Sequence, residues 1–449
     1  LVSQNSSEQY ITLSLVIPQY VGEKVLMLPV NGGWALPTVD MPPPPTDSWW
    51  LDAAHITRAV PEHLGLRTTV LRCLHVGSDA EGQSTGTFLM ERHDPDWTFP
   101  GPAEWFSPDI LPDPFGRLVT EGTQSSENAP WTRPGWFGEA AEWMRMQLEA
   151  RGLRLESEVE QVRSWFLSCL LRVERNEGDY YLKVVPPLFR HEPPLTLDLS
   201  ERHPGFVPQV VSVDVERRWT LMRNAPGVKL VQHPDKALYL PRWEAILRRF
   251  AQIQLDYIPR VDDLLAMGCF DFRLDRLYAG AEVLFAELPH LFGEASNLST
   301  EEIGLLQASL PSIKTICDEL ASSGLPPTLH HGDFHSGNIL CDSDCVVLDW
   351  SGFVVVSHPF LFLTVVSEEL TDSVVMSRMF DAYLPVWSAY GPLDELRRLA
   401  GQAILVGWLA GALGHRRQLA IRDGAWDREQ ELGNLLYCLK FLLRLLAAA

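Results

Sequence analysis

The sequence predicts an α+β protein: a small α/β domain, then a β-rich lobe that runs into a larger, mostly helical lobe. Three observations predict it. Gln9 to Glu91 alternates apolar and polar residues in short runs, Gln161 to Met222 repeats that strand pattern, and from Pro241 helical periodicity dominates to the end. At 449 residues the chain exceeds one ordinary core, so two or three domains are expected.

In the first part, Tyr10–Ile17 and Lys24–Leu28 read as strands, separated by turn-rich pieces that include Asn31-Gly32-Gly33 and Pro42 to Pro45. Ser48 to Leu64 reads as a helix, with Ala54, Ile56, Val60 and Leu64 on one face and Gly65 as its stop. Asp94 to Arg133 is rich in Pro, Gly, Ser and Asp, a linker signature, and its Trp and Phe residues imply packing on a surface. Phe137 to Ala150 resumes a helix, with Phe137, Ala141, Met144 and Leu148 on one face and Gly152 as cap. Strands follow at Gln161–Glu174, at Tyr180–Val185 after the turn Asn176-Glu177-Gly178, and at Val207–Val215 and Trp219–Met222. Within the helical part, Asn338–Cys341 and Val346–Asp349 read as two short strands around the turn Asp342-Ser343-Asp344.

Composition narrows the function classes. With 46% hydrophobic and 21% charged residues the chain is an ordinary globular protein. A net charge of −21 argues against nucleic acid as a partner, because such binders concentrate positive charge. Seven cysteines, odd in number and without a CxxC pair, read as thiols in a reducing cytoplasm, and Cys341 and Cys345 have no second pair nearby to complete a zinc site. No basic segment followed by an apolar core marks a signal peptide. The apolar stretches Ala403–Leu413 and Leu435–Ala449 are too short to span a bilayer, and Lys440 and Arg444 interrupt the second, so no membrane partner is expected.

The strongest chemical signal is His331-Gly332-Asp333-Phe334-His335-Ser336-Gly337-Asn338, followed by Val347-Leu348-Asp349-Trp350. Phosphoryl transfer from ATP needs a carboxylate at the acceptor hydroxyl and oxygen ligands that hold Mg2+ against the phosphates. An Asp followed five positions later by an Asn matches the spacing of a kinase catalytic loop, and Asp349 ends the next strand as the second metal ligand. A zinc reading of His330, His331 and His335 lacks a regular helix or further ligands.

This segment resembles the aminoglycoside phosphotransferase and choline kinase-like family, whose signature is His-Gly-Asp-x-His-x-x-Asn followed by Asp-Trp or Asp-Phe. The resemblance runs from about Trp136 to the C-terminus. It implies a bilobal, protein-kinase-like phosphotransferase fold that uses ATP and Mg2+, with Asp333 as catalytic base or orienting carboxylate, Asn338 and Asp349 as metal ligands, and His331 bracing the loop. It also implies a phosphate-binding lysine on the third strand of the first lobe, where Lys183 stands, with Glu192 as its ion-pair partner and Glu201 as the alternative. Leu221-Met222-Arg223, before Pro226-Gly227, resembles the adenine-binding hinge.

Two departures stand out. The nucleotide-covering loop falls at Ser164-Trp165-Phe166-Leu167-Ser168-Cys169, which contains no glycine, although backbone amides approach phosphates most easily where glycine permits it. Phe362 stands near the place where the family carries an Asp, so the support of the catalytic loop must differ.

The N-terminal part resembles a Nudix domain through Gly33-Trp34-Ala35-Leu36-Pro37, a helix, and Glu62-His63-Leu64-Gly65-Leu66. A working Nudix helix presents Arg-Glu-x-x-Glu-Glu. Here the stretch is Arg58-Ala59-Val60-Pro61-Glu62-His63, with two glutamates missing, so a non-catalytic scaffold is expected. The expected organisation is therefore residues 1–93 Nudix-like, 94–135 linker, and 136–449 phosphotransferase, with lobes at about 155–225 and 226–449.

The leading function is ATP-dependent transfer of a γ-phosphate to a hydroxyl of a small polar molecule, with an aminoglycoside or amino-sugar as one acceptor class. The alternatives are a pseudokinase that binds or regulates, and a Nudix-type hydrolase, which the missing glutamates disfavour. Asp262, Asp263, Asp271, Asp275, Glu368, Glu369 and Asp372 are either amine-binding groups or solvated helix faces. The acceptor's identity, nucleotide preference and oligomeric state are not legible.

Overall fold

The computed structural model describes residues 10–19, 24–42, 49–80, 82–111, 116, 129–155, 157–293, 297–421 and 425–448. The chain forms two compact units, Leu1–Pro187 with Glu216–Arg223, and Leu188–Val215 with Asn224–Ala449. Residues 43–45 of the expected proline turn and 112–115 and 117–128 of the expected linker lie outside the described residues.

The first unit opens on a mixed four-stranded sheet. Ile11–Val16 pairs antiparallel with Thr38–Met41 and parallel with Ser84–Arg92, which pairs in turn with the edge strand Thr68–Ser78. Val25–Val30, Gly33–Ala35 and Glu104–Phe106 make a second, three-stranded antiparallel sheet. Helix Ala53–Leu64 turns Ile56, Val60 and Leu64 into the core beside Leu13 and Phe88. The Asp52 carboxylate caps its start by accepting from the Ala54 N–H at 3.2 Å, and Gly65, at φ 61°, ends it.

The helix expected over Phe137–Ala150 spans Trp136–Glu149, but it buries Trp136, Ala140, Trp143, Met144 and Leu148. The buried face is rotated from the expected one because Trp136 and Trp143 lie edge-on to Trp219, at 6.1 and 5.2 Å. Phe137 instead stacks on His93 at 5.1 Å.

An antiparallel meander follows: Glu160–Trp165, Ser168–Val173, Tyr180–Val184 and, after an excursion, Trp219–Arg223. The β-rich section expected from Gln161 to Glu174 is thus a hairpin, and its turn at Phe166–Leu167, which carries no Gly, Pro, Asn or Asp, falls within the loop expected at Ser164–Cys169.

The second unit is helical around short strands. Its long helices include Tyr239–Tyr257, Leu274–Leu291, Leu393–Gln418 and Ala425–Ala448. The stretch Ala403–Leu413 lies in the third of these, with Ala403, Val406, Leu409 and Ala410 buried. Among the described residues, no helix is long and apolar enough to cross a membrane. Phe270–Phe272, Val355–Ser357 and Thr328–His330 form a three-stranded sheet that the sequence pattern does not announce. Under the functional loop the core is aromatic: Phe334 stacks on Phe250 at 4.8 Å and meets Phe362 edge-on at 5.5 Å. Each such ring contributes roughly 1.5–3 kcal/mol by leaving water.

Candidate active site

The strand Thr328–His330 delivers the chain into Gly332, whose φ is +75°. A Cβ on Gly332 would lie 2.2 Å from the Phe353 carbonyl oxygen, so glycine is demanded by both conformation and space. The loop then closes on itself. Asn338 Nδ2 donates to the Asp333 carboxylate at 2.8 Å and to the Asp333 carbonyl at 3.1 Å. The Asn338 N–H donates to the His335 carbonyl at 2.9 Å, and the Leu348 N–H to the Asn338 carbonyl at 2.8 Å, which sets Asp349 beside the loop. His331 Nε2 donates to the Leu348 carbonyl at 2.9 Å, and its Nδ1 accepts from the Asp333 N–H at 3.3 Å. Asp349 itself sits at φ 60°, a left-handed conformation that Asp tolerates better than most residues, and its carboxylate accepts from the Ser351 hydroxyl. The structure therefore brings Asp333, Asn338 and Asp349 together, as their spacing predicts.

Electrostatics tune the loop. Burial pushes the Asp333 carboxyl up, but the hydrogen bond and charge of His335 outweigh it and hold it below the usual carboxylate range. Burial lowers His335 in turn, and the neighbouring Asp333 overcomes that and raises it. The two side chains stand 3.6 Å apart. Below them, burial drives His330 and His358 down to about 3, so both are neutral structural groups; His330 Nδ1 meets the Ser357 hydroxyl at 3.0 Å.

The loop's remaining support comes from Glu369. Its carboxylate accepts from the Ser336 N–H at 2.8 Å and from the Tyr239 hydroxyl. Phe362 is fully buried and packs on Phe250, Phe334 and Tyr383. Sequence reading singled out Glu369 only as one acidic group among several; its role needed the fold, because seven residues and a helical turn separate it from Phe362. The other acidic residues also have local tasks. Asp271 pairs with Arg273 at 2.6 Å, and Asp372 caps helix Ser373–Tyr383. Glu368 faces a cavity.

That cavity, of about 300 Å³, has Asp333 on its wall, with Trp408, Phe353, His415, Tyr437 and Glu368 around it. The Tyr437 hydroxyl donates to Glu368 at 2.6 Å, and His415 Nδ1 meets the buried Glu431 carboxylate at 2.7 Å. None of Trp408, His415 or Tyr437 carries a local sequence signal; the consecutive helices Leu393–Gln418 and Ala425–Ala448 bring them to the cavity wall that Asp333, far earlier in the chain, also lines.

The cysteine expectation needs correction. Cys341 and Cys345 are joined as a disulfide, because they stand opposite one another across the hairpin of Ile339–Cys341 and Cys345–Val347. Cys73, Cys169, Cys269, Cys317 and Cys438 are not joined in disulfides.

The other expected site residues are divided between the two units, Lys183 and Met222 in the first and Glu192 in the second. Lys183 lies on the middle strand Tyr180–Val184, opposite Thr220, and Met222 lies opposite Tyr181 on the neighbouring strand. Glu192 begins helix Glu192–Arg202 in the second unit and is buried.

The donor set suits magnesium. Asn338 commits its nitrogen to Asp333, which turns its Oδ1 away as an oxygen ligand, and Asp349 adds a carboxylate. Among the described residues no cluster of three or more His, Cys, Asp or Glu gathers for a metal. Two protein oxygens completed by phosphates and water fit Mg2+, which keeps much of its hydration, better than a soft metal.

Residues 169–393, half of the chain, match the model of the phosphotransferase enzyme family. Solved structures similar to the chain include a macrolide 2′-phosphotransferase from Brachybacterium faecium, at 15% identity and TM-score 0.46, covering 66% of this chain and 98% of that one. A choline/ethanolamine kinase family protein from Mesorhizobium loti matches at 14% identity and TM-score 0.46, covering 70% and 99%. Choline kinase from Streptococcus pneumoniae matches at 12% identity and TM-score 0.47, covering 69% and 100%. No curated protein matches the chain.

Proposed function

The chain belongs to the phosphotransferase enzyme family, and from that premise we propose that it transfers the γ-phosphate of ATP to a hydroxyl of a compact small molecule. The observation that carries this reading is the Asp333 carboxylate, tied to Asn338 at 2.8 Å and forming part of the wall of a cavity of about 300 Å³. That volume is at the lower end of small-molecule sites, about 300–1,000 Å³, so an amino-sugar or a similarly small alcohol suits it better than a whole aminoglycoside.

In this mechanism Mg2+-bound ATP supplies the phosphoryl group and the metal neutralises its charge. Asp333 orients the acceptor hydroxyl and takes its proton as the new O–P bond forms and the bond from the γ-phosphorus to the bridging oxygen breaks, with ADP as the leaving group. Asn338 and Asp349 would hold the metal, and Lys183, with Glu192 as its proposed partner, would meet the phosphates. Met222, on the strand that leads to Pro226-Gly227, offers backbone groups to adenine. The cavity walls exclude water from the acceptor.

The same reading assigns residues 1–93 to a Nudix-like domain without hydrolytic activity, 94–135 to a linker and 136–449 to the phosphotransferase, in a cytoplasmic protein that binds neither nucleic acid nor membrane. Arg58 supports the non-catalytic assignment: it spends its guanidinium on Glu160 rather than on a metal-binding helix face. The alternative, a pseudokinase, is favoured by the glycine-free loop over the nucleotide.

The test is ADP release from ATP and Mg2+ by the whole chain, against a panel of amino-sugars and other small alcohols, with Asp333→Asn alongside. One acceptor should stimulate turnover, and the variant should lower kcat by about 10²–10⁴-fold while still binding ATP. Binding of ATP without turnover on any acceptor would favour the pseudokinase, and no ATP binding would overturn the proposal.

A further inference from the structure

The hairpin of Glu160–Trp165 and Ser168–Val173 turns through Phe166 and Leu167. Two-residue hairpin turns match the twist of their strands when the turning residues take positive φ, which is why Gly, Asn and Asp dominate them. Among the described residues, the non-glycine residues with positive φ are Arg218 and Asp349, so neither Phe166 nor Leu167 has it. A turn of this kind splays its strands, and the pairing also shifts register between Gln161 and Arg163. Within the hairpin, Trp165 Nε1 donates to the Ser168 hydroxyl at 2.8 Å, and Arg172 of the inner strand donates to the Glu160 carboxylate at 2.6 Å.

The outer strand is also held from elsewhere. Gln161 is 3% exposed, and its carboxamide mimics a peptide group: it donates to the Val70 carbonyl at 2.9 Å and accepts from the Val70 N–H at 2.8 Å. Val70 lies on Thr68–Ser78, the open edge of the N-terminal sheet, so one side chain satisfies an edge that would otherwise be exposed. Two residues further on, Asp52 forms a β-bridge with Arg163. One residue before, Arg58 grips Glu160 with two nitrogens, one of them at 2.9 Å. The three anchor points on the strand thus meet two elements of the N-terminal domain, the helix Ala53–Leu64 with its cap and the strand Thr68–Ser78.

We infer that the N-terminal domain is the brace of the nucleotide-covering hairpin, and that Gln161 is its principal positioning residue. This rests on the reading of that hairpin as the nucleotide cover. Glycine lets a loop mould itself to phosphates at the time of binding. Here the hairpin is ordered beforehand, so the entropy of ordering it is not lost again when nucleotide arrives. The inference gives the N-terminal domain a task that requires none of the missing glutamates.

The experiment is ATP affinity, measured by calorimetry with Mg2+ on the whole chain, for wild type, Gln161→Ala, Gln161→Met and Arg58→Glu. The Kd for ATP should rise roughly five- to tenfold in both Gln161 variants, and about two- to fivefold in Arg58→Glu. The binding stoichiometry should stay near that of wild type, and amide exchange at 163–169 should quicken. A purely structural role would lower Tm and stoichiometry yet leave Kd unchanged in the folded fraction, and that result overturns the inference. If the Gln161 variants do not fold, Arg58→Glu decides, since its side chain is 60% exposed and its loss leaves no hole; an unchanged Kd there overturns the brace. Wild type that binds no ATP overturns the proposed function and the inference with it, whereas wild-type binding with unchanged Kd in the variants overturns the inference alone.

Discussion

Two antiparallel hairpins in this molecule solve the same problem in opposite ways. The hairpin after the catalytic loop, Ile339–Cys341 with Cys345–Val347, carries its closing chemistry in its own segment: a turn built from Asp342, Ser343 and Asp344, a disulfide across the pair, and the Leu348 bond back to Asn338, while Val228–Lys229 pairs along one edge. The hairpin from Glu160 to Val173 has an aromatic and an aliphatic residue at its turn, and its outer strand is anchored by Val70, Asp52 and Arg58 from far away in sequence. Where a turn carries turn-forming residues, local chemistry fixes its geometry. Where it carries none, distant contacts help to keep it in place.

The largest test of that contrast falls on a long-range polar support of the catalytic loop. Glu369→Ala removes the acceptor for the Ser336 N–H and should lower kcat about 10–100-fold with the KM for ATP little changed, as measured by steady-state kinetics. Glu369→Gln keeps an oxygen in place and should recover most of the loss. If Glu369→Ala were as active as wild type, the loop would be self-sufficient and the contrast sharper than drawn here.

A second test uses pH. His330 and His358 lie beneath the catalytic loop with pKa values pushed down to about 3 by burial, from an ordinary 6.5. Between those values the unfolded chain binds protons that the folded chain refuses, so the stability these neutral histidines contribute is complete above pH 6.5 and is lost as pH falls toward 3. Each contributes a slope of up to about 1.4 kcal/mol per pH unit. Urea denaturation of wild type and His358→Phe between pH 7 and 5 should show a shallower loss in the variant; parallel curves would refute the assignment.

The smallest expected effect is a shift without large loss. His335→Gln removes the group that holds the Asp333 carboxyl low, so that carboxyl rises and the acid limb of the kcat/KM profile moves to higher pH. An unmoved limb would mean that His335 does not tune Asp333.

How much was legible follows the same division. Asp333, Asn338 and Asp349 could be read directly, because their bonds join residues a few positions apart and spacing therefore encodes geometry. The helix Ala53–Leu64 was legible for a similar reason: its apolar period and its Gly65 stop are local features. No turn-forming residue marks the turn at Phe166–Leu167, so only the resemblance to the family pointed to a loop at Ser164–Cys169. The Cys341–Cys345 bond was missed because counting cysteines says nothing about which two face each other across strands. The buried face of Trp136–Glu149 was displaced because Trp219, more than seventy residues away, selected the tryptophans.

The sequence by itself determined the spacing of the loop from His331 to Asp349 and the broad order of sheet and helix. Tertiary structure alone decided that Glu369 supports the loop where Phe362 cannot, that Trp408, His415 and Tyr437 wall the cavity beside Asp333, and that Gln161 joins an edge strand to the N-terminal sheet. The physical reason is range. Backbone conformation, caps and short-range hydrogen bonds act between neighbours and leave a pattern in the chain, whereas burial and long-range hydrogen bonds act between surfaces that exist only once the chain has folded.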